Sequence, residues 1–197
     1  QQKEAENQHI LLQLQKSAGR SWNVIRVKSE LEVVQYVTEL TKKIGAKSVI
    51  RSSHPLIERL RLEEVLEDSA VNVNLMASSN PRIKPGQTFR DIAIASDLGI
   101  TAADYAIAKT GSCVLLPRQG ISRIVSLLPP AYVTIVERGK ILPGLDELFT
   151  IQRHEYLNQT LGTSMNIISG PSSSADIEQT LVKGVHGPGN VHMVLLG

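Results

Sequence analysis

The chain has 197 residues, of which 42% are hydrophobic and 20% are charged, and its formal net charge is +2 at pH 7. These values are typical of a globular domain with its own core, and the small net charge gives no reason to expect nucleic acid or an anionic membrane as a partner. Aromatic residues make up only 4% of the chain, so we expect no platform for stacking nucleic-acid bases. No apolar run is long enough to span a membrane, and no secretory signal is visible.

The first half of the chain predicts helices and strands in alternation. Residues 1–18 lack Gly and Pro and carry Ile10, Leu14 and Ala18 at four-residue spacing, which indicates an N-terminal helix that ends at Gly19. The patterns that follow predict strands over 24–27, 47–51 and 71–76, and helices over 29–44, from Pro55 onward and over 88–95. This alternation predicts an α/β fold with a mainly parallel sheet flanked by helices.

The most informative stretch is residues 97–116, DLGITAADYAIAKTGSCVLL, which is rich in small residues and nearly free of charge. Apolar runs bounded by turn residues are typical of strands buried on both faces of a sheet. Gly111 separates two apolar halves and marks a tight turn or a close approach by another backbone or a ligand. The halves form either a hairpin closed around 109–111 or successive edges of a site, and the spacing alone favours the hairpin.

The second half of the chain predicts a further series of short elements. From Leu116 onward the patterns indicate a loop over 117–120, a helix over 123–128 capped by Ser122, a strand over 132–136, a turn over 140–144, a helix from Leu145 to at least Ile151, a strand over 165–169, a helix over 174–182 and a last strand over 191–196.

The single cysteine, Cys113, excludes a disulfide within the chain and suits a reducing compartment. An iron–sulfur cluster normally needs four thiolates, so this chain cannot hold one alone. Because Cys113 lies in an apolar run, we interpret it as a buried thiol and not as a nucleophile. No metal site is predicted from the histidines, because none of four has a companion at metal-ligand spacing: His9, His54, His154 and His192.

A first candidate site lies in residues 170–178, GPSSSADIE, which predict a strand–loop–helix joint. Open α/β sheets bind ligands at such joints, and free N–H groups at a helix start attract anions. The alternative is helix capping, because Ser173 and Asp176 match the capping pattern and the acids Asp176 and Glu178 suit the positive end of a helix.

A second candidate is the loop GVHGPGN, which contains His186 among glycines. It precedes a strand and does not join a strand to a helix, so it is not a dinucleotide-binding fingerprint. We select His186 as a general acid/base because its loop is placed to meet Ser172; the alternative is a loop histidine without a catalytic role. Ser172, Asp176 and His186 are not interpreted as a hydrolase triad, since no G-x-S-x-G elbow is present.

Two more groups offer anion-binding chemistry. The guanidinium of Arg123, at the start of a short predicted helix, suits a carboxylate clamp, and the alternative is a surface ion pair. Thr110, Gly111 and Ser112 offer hydroxyl and N–H groups to an oxyanion, and the alternative is an ordinary turn.

Two long motifs carry a resemblance to a known family. The run GITAADYAIAKTGS, residues 99–112, and the run ISGPSSSADIEQTLVKGVHGPGNVHMVLLG, residues 168–197, resemble the patterns of the LUD (lactate utilization) domain family in its LutC/YkgG branch. The linking segment 123–143, with SLLPP and KILPGL, also fits. Lys109 is a departure, because the family usually has an acid there.

The resemblance implies a fold related to the NagB/RpiA/CoA-transferase superfold, with a single LUD domain over 20–197 after an N-terminal helix over 1–19. It also implies a cytoplasmic, LutC-like component of a bacterial system that oxidises L-lactate to pyruvate. Iron–sulfur partner subunits would hold the clusters, so we expect no cofactor in this chain and a non-redox role in substrate binding or assembly. The residues selected for substrate binding are Thr110, Gly111, Ser112, Arg123, Gly170, Pro171, Ser172, Glu178 and Gly187, with His186 or Asp176 for proton transfer.

Two other hypotheses stay open. In the first hypothesis, the chain is a stand-alone enzyme that acts on a CoA thioester, a sugar phosphate or a folate, as relatives of the superfold do. Glu178 or Asp176 would then be the nucleophile or base. Otherwise it is a binding or assembly protein without chemistry, which predicts an exposed apolar patch on the stripe formed by Ile10, Leu14 and Ala18.

Overall fold

The computed structural model describes residues 2–76, 86–158, 164–175 and 181–197. The helices are α1 (Gln2–Ala18), α2 (Glu30–Ile44), α3 (Pro55–Arg59), α4 (Leu62–Glu67), α5 (Phe89–Ile94), α6 (Ile124–Leu127) and α7 (Leu145–Leu157). The strands are β1 (Asn23–Val27), β2 (Ser48–Ser52), β3 (Asn72–Met76), β4 (Leu98–Ala102), β5 (Tyr105–Ile107), β6 (Ser112–Leu115), β7 (Ala131–Glu137), β8 (Ile141–Leu142), β9 (Asn166–Ile168), β10 (Ser173–Ala175), β11 (Leu181–Lys183) and β12 (Asn190–Leu196).

The centre of the fold is a sheet in the order β1-β12-β7-β4-β2-β3, in which every neighbouring pair of strands is parallel. Alternate side chains point to opposite faces of a strand, so Val133 packs with α2, α3 and α4 while Tyr132 packs with α1 and the strands that follow β4. Helices α5 and α6 cover the rest of this second face through Ile92, Ala93 and Val125. The predicted α/β fold with a mainly parallel sheet flanked by helices is confirmed.

Helix α2 shows how local sequence sets the element boundaries. The hydroxyl of Ser29 accepts the N–H of Glu32, which satisfies one of the free donors at the helix start. Gly45 ends the helix in the left-handed conformation with φ 65°, a region that glycine enters without steric cost. Val33 and Val37 between them are fully buried against the sheet.

The N-terminal helix α1 is part of the core. Leu11 and Leu14 are 1% and 0% exposed, and they pack with Trp22 and Tyr132 against the sheet. The expected exposed stripe of Ile10, Leu14 and Ala18 is wrong for its last two members, because the chain's own sheet covers them. The periodic pattern was correct, and the apolar face of the helix finds its partner within the chain.

The stretch 97–116 divides into three strands instead of two. Strand β4 joins the parallel sheet, whereas β5 and β6 form an antiparallel hairpin in a second sheet of order β8-β5-β6-β9. Ile107 pairs with Ser112, so the predicted turn around 109–111 closes the hairpin. Asp104 marks the reversal between β4 and β5, and its carboxylate accepts the N–H of Leu116 at 2.7 Å.

The predicted helix over 174–182 is wrong where it can be compared, because β10 and β11 pair as antiparallel strands with Ser174 opposite Val182. The backbone of Ser172 enters this hairpin already bonded on both sides. Its N–H donates to Pro188 O and its carbonyl accepts from Gly184 N, both at 2.9 Å. These bonds draw the segment into an extended ladder, and serine has no strong helix preference to oppose them. Residues 176–180 lie outside the described residues.

Helix α7 begins at Leu145 as predicted and extends to Leu157. The N–H of Gly144 donates to the carboxylate of Glu147 at 2.9 Å, which closes the first turn. None of the helices in the described ranges is long and apolar enough to cross a membrane.

Cys113 lies in β6 with no exposed surface, and burial raises the pKa of its thiol to about 12. We expect alkylation by iodoacetamide at pH 8 to be roughly a hundredfold slower, or slower still, than in the unfolded chain, because the thiolate is the reacting form. Mass spectrometry would measure the labelled fraction, and Cys113→Ser in denaturant gives the unlabelled control. Rapid labelling of the folded protein would contradict a buried thiol.

Candidate functional site

The structure brings the two hydroxyl-bearing turns of the predicted site together. The Oγ atom of Ser112 lies 2.8 Å from Oγ1 of Thr110 and 2.8 Å from Oγ of Ser169, the residue before Gly170. This hydroxyl chain joins the hairpin turn to the segment that leads to Ser172. Thr110 and Ser169 are exposed and Ser112 between them is buried, so both ends of this hydroxyl chain reach the surface.

The loop of His186 meets Ser172, as its selection required. The backbone N–H of His186 donates to Oγ of Ser172 at 3.2 Å. A Cβ atom placed on Gly187 would lie 3.3 Å from Cβ of Ser172 and 3.5 Å from the carbonyl oxygen of Leu127. The side chain of His186 is exposed, and Pro171 is half-buried beside this junction. Asp176 and Glu178 lie outside the described residues.

Arg123 lies at the start of α6, the short helix that ends beside Gly187. Its side chain is exposed and makes no ion pair with any residue in the described ranges. It is therefore available to a ligand, but no residue in the described part of the chain orients its guanidinium.

The glycines at these turns are explained by contacts within the chain. A Cβ atom on Gly111 would lie 2.5 Å from the backbone N of Ala18, at the end of α1. A Cβ atom on Gly170 would lie 2.6 Å from Cβ of Ser21. Both positions therefore need glycine so that the N-terminal segment can approach.

This whole group lies at the amino ends of the sheet strands. The N–H groups of Gly189 and Asn190, at the start of β12, donate to Pro130 O just before β7. Ligands of open α/β sheets bind at the other end of the strands, outside their carboxyl ends. The substrate-binding and catalytic roles given to these residues stay predictions.

A cleft lies at the carboxyl ends of the sheet strands, where proteins of this fold class usually bind their ligands. Three neighbouring strands contribute to it: His54 comes two residues after β2, Asp104 two residues after β4, and Glu137 is the last residue of β7. The cleft has a volume of about 600 Å³, within the range of small-molecule sites.

The topology explains why the cleft opens at this place. After β2 the chain continues to β3 on one side of it, whereas after β4 it continues to β7 on the other side. The connections from β2 and β4 therefore leave in opposite directions. A crevice at such a switch of direction is the usual ligand site of open α/β sheets.

The charged side chains of the cleft are mostly paired with one another. Asp104 accepts from Nη1 of Arg118 at 2.9 Å, and its other oxygen accepts the N–H of Leu116. Arg59 donates from Nε to Glu30 at 3.0 Å and from Nη2 to Glu137 at 3.1 Å, and these hydrogen bonds raise the pKa of its guanidinium.

Lys140 differs from the two arginines of the cleft. Its Nζ atom lies 5.7 Å from the centre of the Tyr105 ring, within cation–π range, and it makes no ion pair with a carboxylate in the described part of the chain. Lys140 is exposed, so its charge is available to an anion that enters the cleft.

His54 is the titratable group next to these charges. Its Nδ1 atom accepts the N–H of Leu56 at 3.2 Å and so caps α3. Burial is the largest cause that lowers the pKa of the imidazole, and the nearby charges of Asp104, Arg118, Glu137 and Lys140 act on it in opposing directions. The ring is therefore neutral at pH 7.

The residues of this cleft are not among the site residues predicted from the sequence. His54 was considered only as a metal ligand, and Arg59 lies in the helix predicted from Pro55 onward, to which no site was assigned. The available signal was positional: His54 and Asp104 both follow the end of a buried strand, where side chains of neighbouring parallel strands meet. In the described ranges, no three His, Cys, Asp or Glu side chains are grouped so as to hold a metal ion.

The chain is similar to a known protein family and to several known proteins. Residues 14–196 match the LUD domain family. The chain is 34% identical to Lactate utilization protein C of Halalkalibacterium halodurans over 158 residues, which cover 78% of this chain and 64% of that protein. It is 33% identical to Lactate utilization protein C of an Exiguobacterium species over 193 residues, covering 88% and 81%. The chain thus spans less than two thirds of the first of these relatives.

A solved structure supports the fold. The crystal structure of a DUF162 family protein from Deinococcus radiodurans superposes with a TM-score of 0.63 over 98% of each chain. Its sequence identity is 18%, so the likeness shows a shared fold and carries no statement about a ligand.

Proposed function

The chain belongs to the LUD domain family, and from this premise we propose that it is the LutC-like component of a bacterial L-lactate utilization system. In this proposal the chain binds a small carboxylate, L-lactate or pyruvate, in the cleft at the carboxyl ends of β2, β4 and β7. The names of its relatives support the role in lactate utilization, and the position of the cleft supports the site.

The observation that carries the proposal is Lys140, a cation of the cleft that forms no ion pair with any carboxylate among the described residues. A carboxylate bound in the cleft is stabilised by a nearby positive charge that no acid already balances. Lys140 offers that charge, whereas Arg59 and Arg118 are already balanced by Glu137 and Asp104.

Redox chemistry is assigned to partner subunits in this proposal. The single cysteine is buried in β6, so it is not placed to share a cluster with other thiolates. Iron–sulfur subunits of a cytoplasmic lactate-oxidising complex would take the electrons released when lactate becomes pyruvate, and this chain would hold the acid. The chain itself is assigned no cofactor.

Calorimetric titration with L-lactate and with pyruvate tests the proposed site. We expect Lys140→Met to weaken the binding of the acid about threefold to fivefold, because an exposed ion pair contributes up to roughly 1 kcal/mol. Lys109→Met is the matched control, since Lys109 is also exposed and does not line the cleft.

Arg123→Ala distinguishes a ligand bound at the amino ends of the sheet strands from one bound at their carboxyl ends. We expect it to leave binding unchanged, since Arg123 lies beside the amino ends of the strands. If Arg123→Ala abolishes binding and Lys140→Met leaves it unchanged, the ligand binds instead at the predicted group of Ser172, His186 and Gly187. Failure of the wild-type chain to bind either acid would contradict the carboxylate-binding role.

A second candidate function is a stand-alone enzyme acting on a CoA thioester, a sugar phosphate or a folate. The volume of the cleft favours it, because about 600 Å³ is more than a three-carbon acid fills. Titration of the same variants with these ligands, together with turnover by the isolated chain, would distinguish this function from carboxylate binding.

A further inference from the structure

The cap of helix α3 determines which nitrogen of His54 carries the proton. Helix caps are usually Ser, Thr, Asp or Asn, but here the imidazole Nδ1 takes that position and accepts the N–H of Leu56 at 3.2 Å. A nitrogen that accepts a hydrogen bond holds a lone pair and no proton. In the neutral ring the proton is therefore on Nε2.

The Nε2 atom has no hydrogen-bond partner among the described residues, although the ring is half-buried and lines the cleft. A half-buried N–H without a partner is costly unless water or a ligand accepts from it. Two positive groups, Arg118 and Lys140, and two negative groups, Asp104 and Glu137, act on the ring from the surrounding elements. Their charges oppose each other, so burial decides that the ring stays neutral.

We propose that His54 is a donor to the ligand of this cleft, giving the Nε2 hydrogen bond to a carboxylate or keto oxygen, with its own helix cap holding the required tautomer. The proposal rests on the proposed function in one respect, that an anionic acid occupies the cleft. It adds His54 as a specificity-determining residue and states that His54 is the donor of the hydrogen bond and the ligand its acceptor.

The same geometry excludes one role for His54. Nε2 already carries a proton, and Nδ1 can take one only if it gives up the N–H of Leu56 and opens the first turn of α3. His54 is therefore not the base that removes a proton from a hydroxy acid. We expect the binding of pyruvate at pH 7 to take up no proton, which calorimetry in two buffers of different ionisation enthalpy would measure.

Two variants separate the donor from the cap. Ser is a good helix cap and its hydroxyl is too short to replace Nε2, so His54→Ser keeps α3 and removes the donor. The amide of Gln reaches the position of Nε2 and carries an N–H, but Gln is a poor helix cap, so His54→Gln keeps the donor and loses the cap. We expect His54→Ser to weaken pyruvate binding about tenfold to a hundredfold with the thermal stability of the wild type. His54→Gln should bind pyruvate much more like the wild type and unfold at a lower temperature.

The tautomer is measured independently in the ligand-free protein. A two-bond ¹H–¹⁵N spectrum distinguishes the protonated nitrogen of each imidazole, and the signal that disappears in His54→Ser belongs to His54. We expect a proton on Nε2 alone. A proton on Nδ1, or unchanged binding in His54→Ser, overturns the donor role and leaves the proposed function intact. If the wild-type chain binds none of pyruvate, L-lactate, inorganic phosphate or a CoA ester, both are rejected.

Discussion

Replacing Gly111 with Ala is expected to lower the free energy of unfolding by about 2–5 kcal/mol. Gly111 has φ 69°, a left-handed conformation that costs an L-residue roughly 1–2 kcal/mol. The new Cβ would also lie 2.5 Å from Ala18 N and 2.6 Å from Ser17 C, and these are backbone atoms that cannot rotate away. Helix α1 would have to shift, and overpacking of this kind costs about 1–3 kcal/mol more.

Gly45→Ala is the matched control for this prediction. Gly45 has φ 65°, nearly the same backbone conformation, and a Cβ there would meet nothing within 4 Å. It should therefore lose only the conformational part, about 1–2 kcal/mol. Urea denaturation followed by circular dichroism measures both variants. Equal losses in the two would show that the contact between the hairpin turn and α1 is not tight.

Acidification from pH 6.5 to pH 4 is expected to remove about 3 kcal/mol of stability through His192 alone. Its ring lies between Tyr36 Oη, 2.7 Å from Nδ1, and Asn190 Oδ1, 2.9 Å from Nε2. Burial first, and then the charge of Lys43, lowers the pKa of His192 to about 4. Between pH 4 and the ordinary value of 6.5 the unfolded chain therefore binds more protons than the folded one, so stability falls as the pH falls.

His192→Gln isolates this contribution. The variant cannot titrate, so the difference in stability between it and the wild type should shrink by about 3 kcal/mol as the pH goes from 6.5 to 4. The lowered pKa of His54 acts in the same direction, and it is common to both proteins and cancels. Urea midpoints at five or six pH values would give the curve. A difference that does not change with pH would mean that His192 titrates normally in the folded protein.

The candidate site was harder to predict than the fold, and the reason is geometric. His54, Asp104 and Glu137 are far apart in the sequence, and no motif links them. They meet because β2, β4 and β7 are neighbours in the sheet although other elements separate them along the chain. The contact between His186 and Ser172 was predictable because both belong to one short segment at the end of the chain.

The amino-acid sequence by itself determined the local elements of this protein. The alternation of apolar patterns determined the α/β class, Ser29 and Gly45 the ends of α2, and the turn at 109–111 the hairpin of β5 and β6, because each depends on residues close together in the chain. Tertiary structure decided what those elements meet. It buried Leu14 of α1, turned 173–175 into a strand through the backbone bonds of Ser172, and placed the cleft at a switch of strand direction. These outcomes depend on which distant segments pair and pack, and a local pattern contains no information about that choice.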